Sequence, residues 1–181
     1  SEVARRVLEE FGPVIINDIS AGELDPPMLD VVARQGIPYV AMHMKGDPQT
    51  MQSLTEYRRD ITTEVVSYFR ARVERLLAAG IRREQIILDP GFGFAKTVDQ
   101  NYELLSGLHR LCDLGFPVLA GLSRKSMIYK PLGITPEESL AGTVALGWEC
   151  LRQGARILRV HDVREAADTV RLFRIYEQNR H

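Results

Sequence analysis

Two periodicities alternate along the chain. Short apolar runs rich in β-branched residues recur at Val14-Ile15-Ile16, Tyr39-Val40-Ala41-Met42, Ile86-Ile87-Leu88, Val118-Leu119-Ala120 and Ile157-Leu158-Arg159-Val160. They show little polar alternation, as strands covered on both faces do. Between them lie amphipathic stretches that predict helices over 25–35, 54–79, 101–114 and 139–153, with further helices over 2–11 and 164–178. Gly36, Gly80, Gly115 and Gly154 follow the four inner helical patterns directly, the place of a left-handed helix cap. Thr135-Pro136-Glu137-Glu138 reads as a capping box with Pro at the first helical position. No linker, charge block or repeat divides the chain, so residues 1–181 read as one domain.

Strands that alternate with helices form a parallel sheet. An open doubly wound sheet gathers its chemistry at one switch point. A (β/α) barrel puts polar groups at the C-terminal end of nearly every strand. This chain follows the second pattern: its strands run into Asn17-Asp18, His43, Asp89, Ser123-Arg124-Lys125 and Arg159-Val160-His161-Asp162. A full barrel has eight strand–helix units in about 250 residues. The 181 residues here fit about the last five units of a TIM-type (β/α)8 barrel, with three strands missing. Five strands alone would leave open edges and an uncovered apolar interior, so this span by itself is expected to associate and to be inactive.

Composition narrows the classes of function. Lys and Arg number 23 against 24 Asp and Glu, for a net charge of -1, which lacks the basic excess of a nucleic-acid binder. No apolar run approaches the roughly 20 residues of a membrane span. Cys112 and Cys150 lie far apart in helical patterns and read as free thiols, which points to the cytoplasm. The chain has no HExxH, CxxC, GxSxG or Walker pattern, so zinc, dithiol, triad and P-loop chemistries lack support.

The polar strand exits carry the candidate chemistry. In Asp89-Pro90-Gly91-Phe92-Gly93-Phe94 a carboxylate ends a strand, Pro stops pairing, two glycines bring backbone near a ligand, and Phe94 offers a flat wall. One carboxylate accepting two parallel N–H bonds suits the amidine-like edge of a pterin or guanine, although Asp-Pro-Gly is also a common turn. Asn17 offers an amide to a heterocycle edge or an Asx-turn to its own loop, and Asp18 reads as a holder of loop backbone. Met42 could touch a flat ligand through sulfur, His43 reads as a core histidine, Lys45 as solvated, and residues 46–56 as a loop over the site. Gly121-Leu122-Ser123-Arg124-Lys125-Ser126 suits an oxyanion or carboxylate, helped by a helix opening at Ser126. Strand alternation places Arg159 and His161 on one side, fit for a diphosphate, and makes Asp162 the N-cap of the last helix with Glu165 behind it. His109 and His181 receive no chemistry.

Together these segments resemble the dihydropteroate synthase family. The likeness rests on Ile16-Asn17-Asp18-Ile19-Ser20, Met42-His43-Met44-Lys45-Gly46 with Pro48, Met51 and Gln52, then Asp89 to Phe94, Gly121 to Ser126, and Arg159-Val160-His161-Asp162-Val163. They stand in the family's order over nearly the whole chain, corresponding to the C-terminal two-thirds of that enzyme.

The resemblance implies a (β/α)8 barrel and a transferase of folate biosynthesis, joining 6-hydroxymethyl-7,8-dihydropterin diphosphate to 4-aminobenzoate with release of diphosphate. It further implies that Asn17 and Asp89 hold the pterin edge and that Lys125 donates to its carbonyl side. Met42, Phe94 and Gly121 would line the pocket, Ser126 would help receive the 4-aminobenzoate carboxylate, and Arg159 and His161 would bind the leaving diphosphate. It implies a Mg2+ ion whose protein ligand is not among these residues, and a homodimer with Trp148 and Phe173 as candidate anchors on the late helices. Two other readings remain open: a methyltetrahydrofolate:corrinoid methyltransferase-like barrel, and a non-catalytic pterin-binding paralogue or fragment.

Overall fold

The computed structural model describes residues 1–46 and 54–180. Its elements follow the order α1 (Glu2–Phe11), β1 (Ile16–Asp18), α2 (Pro27–Gln35), β2 (Tyr39–Met42), α3 (Ile61–Ala78), β3 (Ile86–Asp89), α4 (Val98–Ser106), α5 (Leu108–Cys112), β4 (Leu119–Ala120), α6 (Ser126–Leu132), α7 (Leu140–Arg152), β5 (Ile157–Leu158) and α8 (Val163–Gln178). Every strand pairing is parallel: β1 with β2, β2 with β3, and β4 with β5. A single bridge between Leu88 and Val118 joins the two groups, so the strands lie side by side in chain order.

Burial falls into two layers. The large core lies between strands and helices, where Tyr39, Ala41, Ile86, Leu88, Val118 and Ala120 meet Val65, Phe69, Leu76, Leu104 and Leu108. The opposite strand face carries a second, smaller cluster of Val40, Ile87 and Leu119 with Ile157 packed against it. Sheets buried on both faces need continuous apolar strands, which explains their lack of polar alternation. A curled sheet with helices outside and a thin inner layer is the arrangement of a barrel wall.

Several predicted boundaries move. Residues 54–60 lie outside α3, which begins after Asp60 accepts a bond from the Thr63 amide at 2.8 Å. The helix expected over 101–114 breaks at Gly107 into α4 and α5 and starts earlier, at a Thr97–Gln100 capping box. A Cβ at Gly107 would lie 2.7 Å from the Thr62 side chain, so α3 packs tightly against this break. The Thr135–Glu138 reciprocal bonds form at 2.9 and 3.4 Å, but they close a turn ahead of α7 and open no helix. The first strand is Ile16–Asp18 rather than 14–16, and Ile15 is exposed. Residues 47–53, with Pro48, Met51 and Gln52, lie outside the described residues.

Candidate active site

Strand register decides which side chains reach the inner face. Asn17 pairs with Val40, and Val40 with Ile87, so Asn17 shares the inner layer. Two residues further along each strand, the same face presents Met42, Asp89, Gly121 and Arg159, because side chains alternate with period two. Four exits therefore open on one mouth.

Arg159 ties that mouth together. Its guanidinium donates to Asn17 Oδ1 at 3.1 Å and stands 3.2 Å from Asp89 Oδ2. It rests over Gly121, where a Cβ would come within 2.7 Å of Nη2. Gly121 therefore seats the arginine. An alanine there is conformationally permitted but overlaps the guanidinium, so Gly121→Ala is expected to displace Arg159 from Asp89 and to cost the fold about 1 kcal/mol. A urea melt and a crystal structure test this, and an unmoved Arg159 would refute it.

Asp89 is 1% exposed. Its Oδ1 accepts the Gly91 amide at 2.8 Å, whereas Oδ2 lacks an aligned hydrogen bond despite the nearby Arg159. Burial pushes its carboxyl above the ordinary range, against the pull of the Gly91 amide, Arg159, Lys125 and Lys96. An unpartnered buried carboxylate oxygen is costly, and it is the kind of acceptor a ligand donor satisfies. The turn role and the ligand role thus coexist, one on each oxygen.

Lys125 donates to the Phe92 carbonyl and sits 4.7 Å over the Phe94 ring. Burial lowers its pKa to about 8, with Asp89 pulling the other way. Ser126 follows it as the first residue of α6. Asp18 holds its loop as expected: its carboxylate accepts from the Ser20 and Gly22 amides, the Ser20 hydroxyl and Tyr39 OH at 2.7–2.8 Å.

Other assignments change. Met42 is fully buried, packed near Gly91. Arg159 and His161 do not share partners: β5 ends at Leu158, so alternation lapses, and His161 turns to Ser123 Oγ with Nδ1 at 3.0 Å and its amide at 3.2 Å. Asp162 stands at the N-cap of α8 without a capping bond, and instead grips Arg124 through two bonds of 2.5 and 3.1 Å. Arg124 is thereby committed to structure rather than to an oxyanion. Lys45 is half-buried, bound to the Glu56 carbonyl and 4.8 Å over Tyr57.

Two groups escaped the sequence reading. Ser123 orients His161, and Lys96 is a 6% exposed cation beneath the Asp89 loop. Ser123 was visible only as a hydroxyl in a basic motif, and Lys96 only as the residue ending Gly-Phe-Ala-Lys. Among the described residues no three His, Cys, Asp or Glu side chains group to hold a metal ion, and no helix is long and apolar enough to cross a membrane.

Comparison with known proteins adds to this geometry. The profile of the family described as pterin binding enzyme matches residues 1–161. The chain belongs to the pterin-binding enzyme family. A dihydropteroate synthase of Synechocystis is 46% identical over 168 residues, covering 92% of this chain and 57% of that protein. The crystal structure of dihydropteroate synthase from Thermus thermophilus in complex with 6HMPPP superposes with a TM-score of 0.89 at 39% identity, over 96% of this chain and 68% of that one. A second structure of the Thermus enzyme, in complex with 4-aminobenzoate, matches with the same TM-score and identity. These likenesses establish the TIM-barrel fold for this chain. The chain spans 57–62% of the length of the curated relatives it matches.

Proposed function

We propose that this chain supplies the pterin- and diphosphate-binding part of a dihydropteroate synthase. The observation that carries this reading is the mouth itself: one buried carboxylate with an open oxygen, ringed by Lys125 and Arg159, on the inner face of a barrel wall. The family match and the relatives named dihydropteroate synthase support it. The Thermus structures bind 6HMPPP and 4-aminobenzoate, so those are the ligands we propose here.

In this reading Asp89 and Asn17 hold the pterin edge. Lys125 donates to the pterin carbonyl side, and Phe94 walls the ring. The carbon–oxygen bond to the diphosphate breaks, the 4-aminobenzoate nitrogen bonds to the methylene carbon, and that nitrogen loses a proton. Arg159 neutralises the departing diphosphate and His161, held by Ser123, hydrogen-bonds to it. Ser126, at the start of α6, helps receive the 4-aminobenzoate carboxylate. A Mg2+ ion whose protein ligand is not among these residues would supply charge neutralisation to the diphosphate, and no step is routed through it. The test is formation of 7,8-dihydropteroate by the full-length protein from pterin diphosphate and 4-aminobenzoate. Binding of the pterin without turnover would favour a non-catalytic pterin-binding paralogue.

The reading also covers a homodimer through α7 and α8. Trp148 stacks edge-on with Phe173 at 5.2 Å, so these two pack within the chain, while Leu172, Ile175 and Tyr176 leave an apolar stripe exposed on α8. Ile175→Glu is expected to convert the full-length protein to monomer in light scattering; a wild-type monomer that resists concentration would sink the dimer. The unpaired Cys112 and Cys150 support a cytoplasmic site, which cell fractionation checks.

A further inference from the structure

Lys96 is the buried cation that the reaction described above does not use. Its ammonium donates to the Gly91 carbonyl and the Phe94 carbonyl, each at 2.9 Å, and meets His43 Nδ1 at 3.1 Å. Three N–H donors find three acceptors, so the cation is satisfied although nearly all of it is out of water. The acceptors belong to the loop that makes the site. Gly91 offers its amide to Asp89, and Phe94 offers its ring to Lys125. The loop turns through positive φ at Gly91, Gly93 and Ala95, which lets the two carbonyls converge on one point.

Carbonyl oxygens that point at each other repel, and only a donor between them keeps them there. Lys125 takes the Phe92 carbonyl of the same loop. Two lysines thus grip three carbonyls of one loop, one lysine from below and one from within the mouth. The clamp continues into β2, because the His43 amide donates to the Asp89 carbonyl at 3.0 Å while its ring receives Lys96.

We propose that Lys96, with His43 as its anchor, is a positioning residue for the pterin edge: it sets the Gly91 and Phe94 carbonyls and through them the aim of Asp89 and the plane of Phe94. This rests on the pterin reading of the mouth. The titratable groups that face Lys96 are His43 just after β2, Asp89 from β3 and Lys125 from the β4–α6 connection. Burial lowers the Lys96 pKa to about 7 and pushes His43 well below its ordinary range, so below neutrality the pair is an ammonium beside a neutral imidazole. Nδ1 then has to be the bare acceptor and the ring proton sits on Nε2.

The experiment uses the full-length protein, wild type and Lys96→Met, at pH 6. Calorimetric titration with 6-hydroxymethyl-7,8-dihydropterin diphosphate is expected to show about tenfold to a hundredfold weaker binding for Lys96→Met at unchanged stoichiometry, as misplaced binding groups cost. Nitrogen NMR is expected to show the Nε2-H tautomer of His43 in the wild type and its loss of preference in Lys96→Met. Wild-type affinity in the variant, or a wild-type His43 protonated at Nδ1, would overturn the proposal. Should Lys96→Met fail to fold, Lys96→Gln, which is shorter and cannot span both carbonyls, is read the same way. A wild-type protein that binds no pterin would instead sink the reading of the mouth, leaving the tautomer measurement to judge the clamp.

Discussion

Asp89→Asn is expected to abolish most pterin affinity while leaving the fold standing. The amide nitrogen has two places to go. At the Oδ1 position it faces the Gly91 N–H, donor against donor; at Oδ2 it faces Arg159 and the incoming pterin donors. Either choice removes a charge-assisted bond worth roughly 1.5–3 kcal/mol. Loss of one or both weakens binding about tenfold to several-hundredfold, at about 1.4 kcal/mol per decade. The fold itself loses little, because burial already holds the Asp89 carboxyl above its usual pKa and the amide carries no charge to desolvate. Titration calorimetry with a pterin and a urea melt, run on the same preparation, separate the two effects. Near wild-type affinity would contradict the role of Asp89.

Gly91→Ala is expected to be among the most damaging single-methyl additions in the chain. Gly91 has a φ of 68°, and a Cβ there would lie 2.1 Å from the His43 carbonyl oxygen, which is backbone at the end of β2. The left-handed conformation alone costs an L-residue about 1–2 kcal/mol. Relief of the overlap needs β2 or the loop to move, which breaks the His43–Asp89 backbone bond and the Lys96 clamp. A total of about 3 kcal/mol or more follows, a large share of a typical stability of about 5–15 kcal/mol. Gly133 provides the control, since its φ is 65° and nothing lies within 4 Å of its added Cβ. Gly133→Ala should show the conformational cost alone. If denaturant midpoints put both variants at the same stability, the overlap at Gly91 is absorbed and the argument fails.

What the sequence revealed was local and periodic. Asn17, Asp89 and Arg159 could be found because they end strands whose apolar runs stand out, and the pairing register carries each to the inner face. Met42 satisfies the same rule and is fully buried, since the rule reports a side chain's face and not what lies on top of it. His161 stands three residues past the end of β5, beyond the last ladder bond from the Arg159 amide, so alternation no longer sets its side and Ser123 does. Ser123 with His161, and Arg124 with Asp162, are partners 38 residues apart in the chain, joined only when β4 and β5 align. A buried lysine such as Lys96 has no pattern of its own. The paired glycines before it, which mark a backbone turned inward, were the available clue.

The thin inner layer has a consequence for how such a barrel can change. The wall is secured from outside, by the broad core shared with the helices, whereas the floor of the mouth is Val40, Ile87, Leu119 and Ile157. Substitutions among these four reshape the depth of the pocket at the cost of one small cluster. Stability and ligand shape are thus held in separate accounts of the same strands, on alternate residues. A lineage could retune what the mouth admits by drifting along one face while selection guards the other.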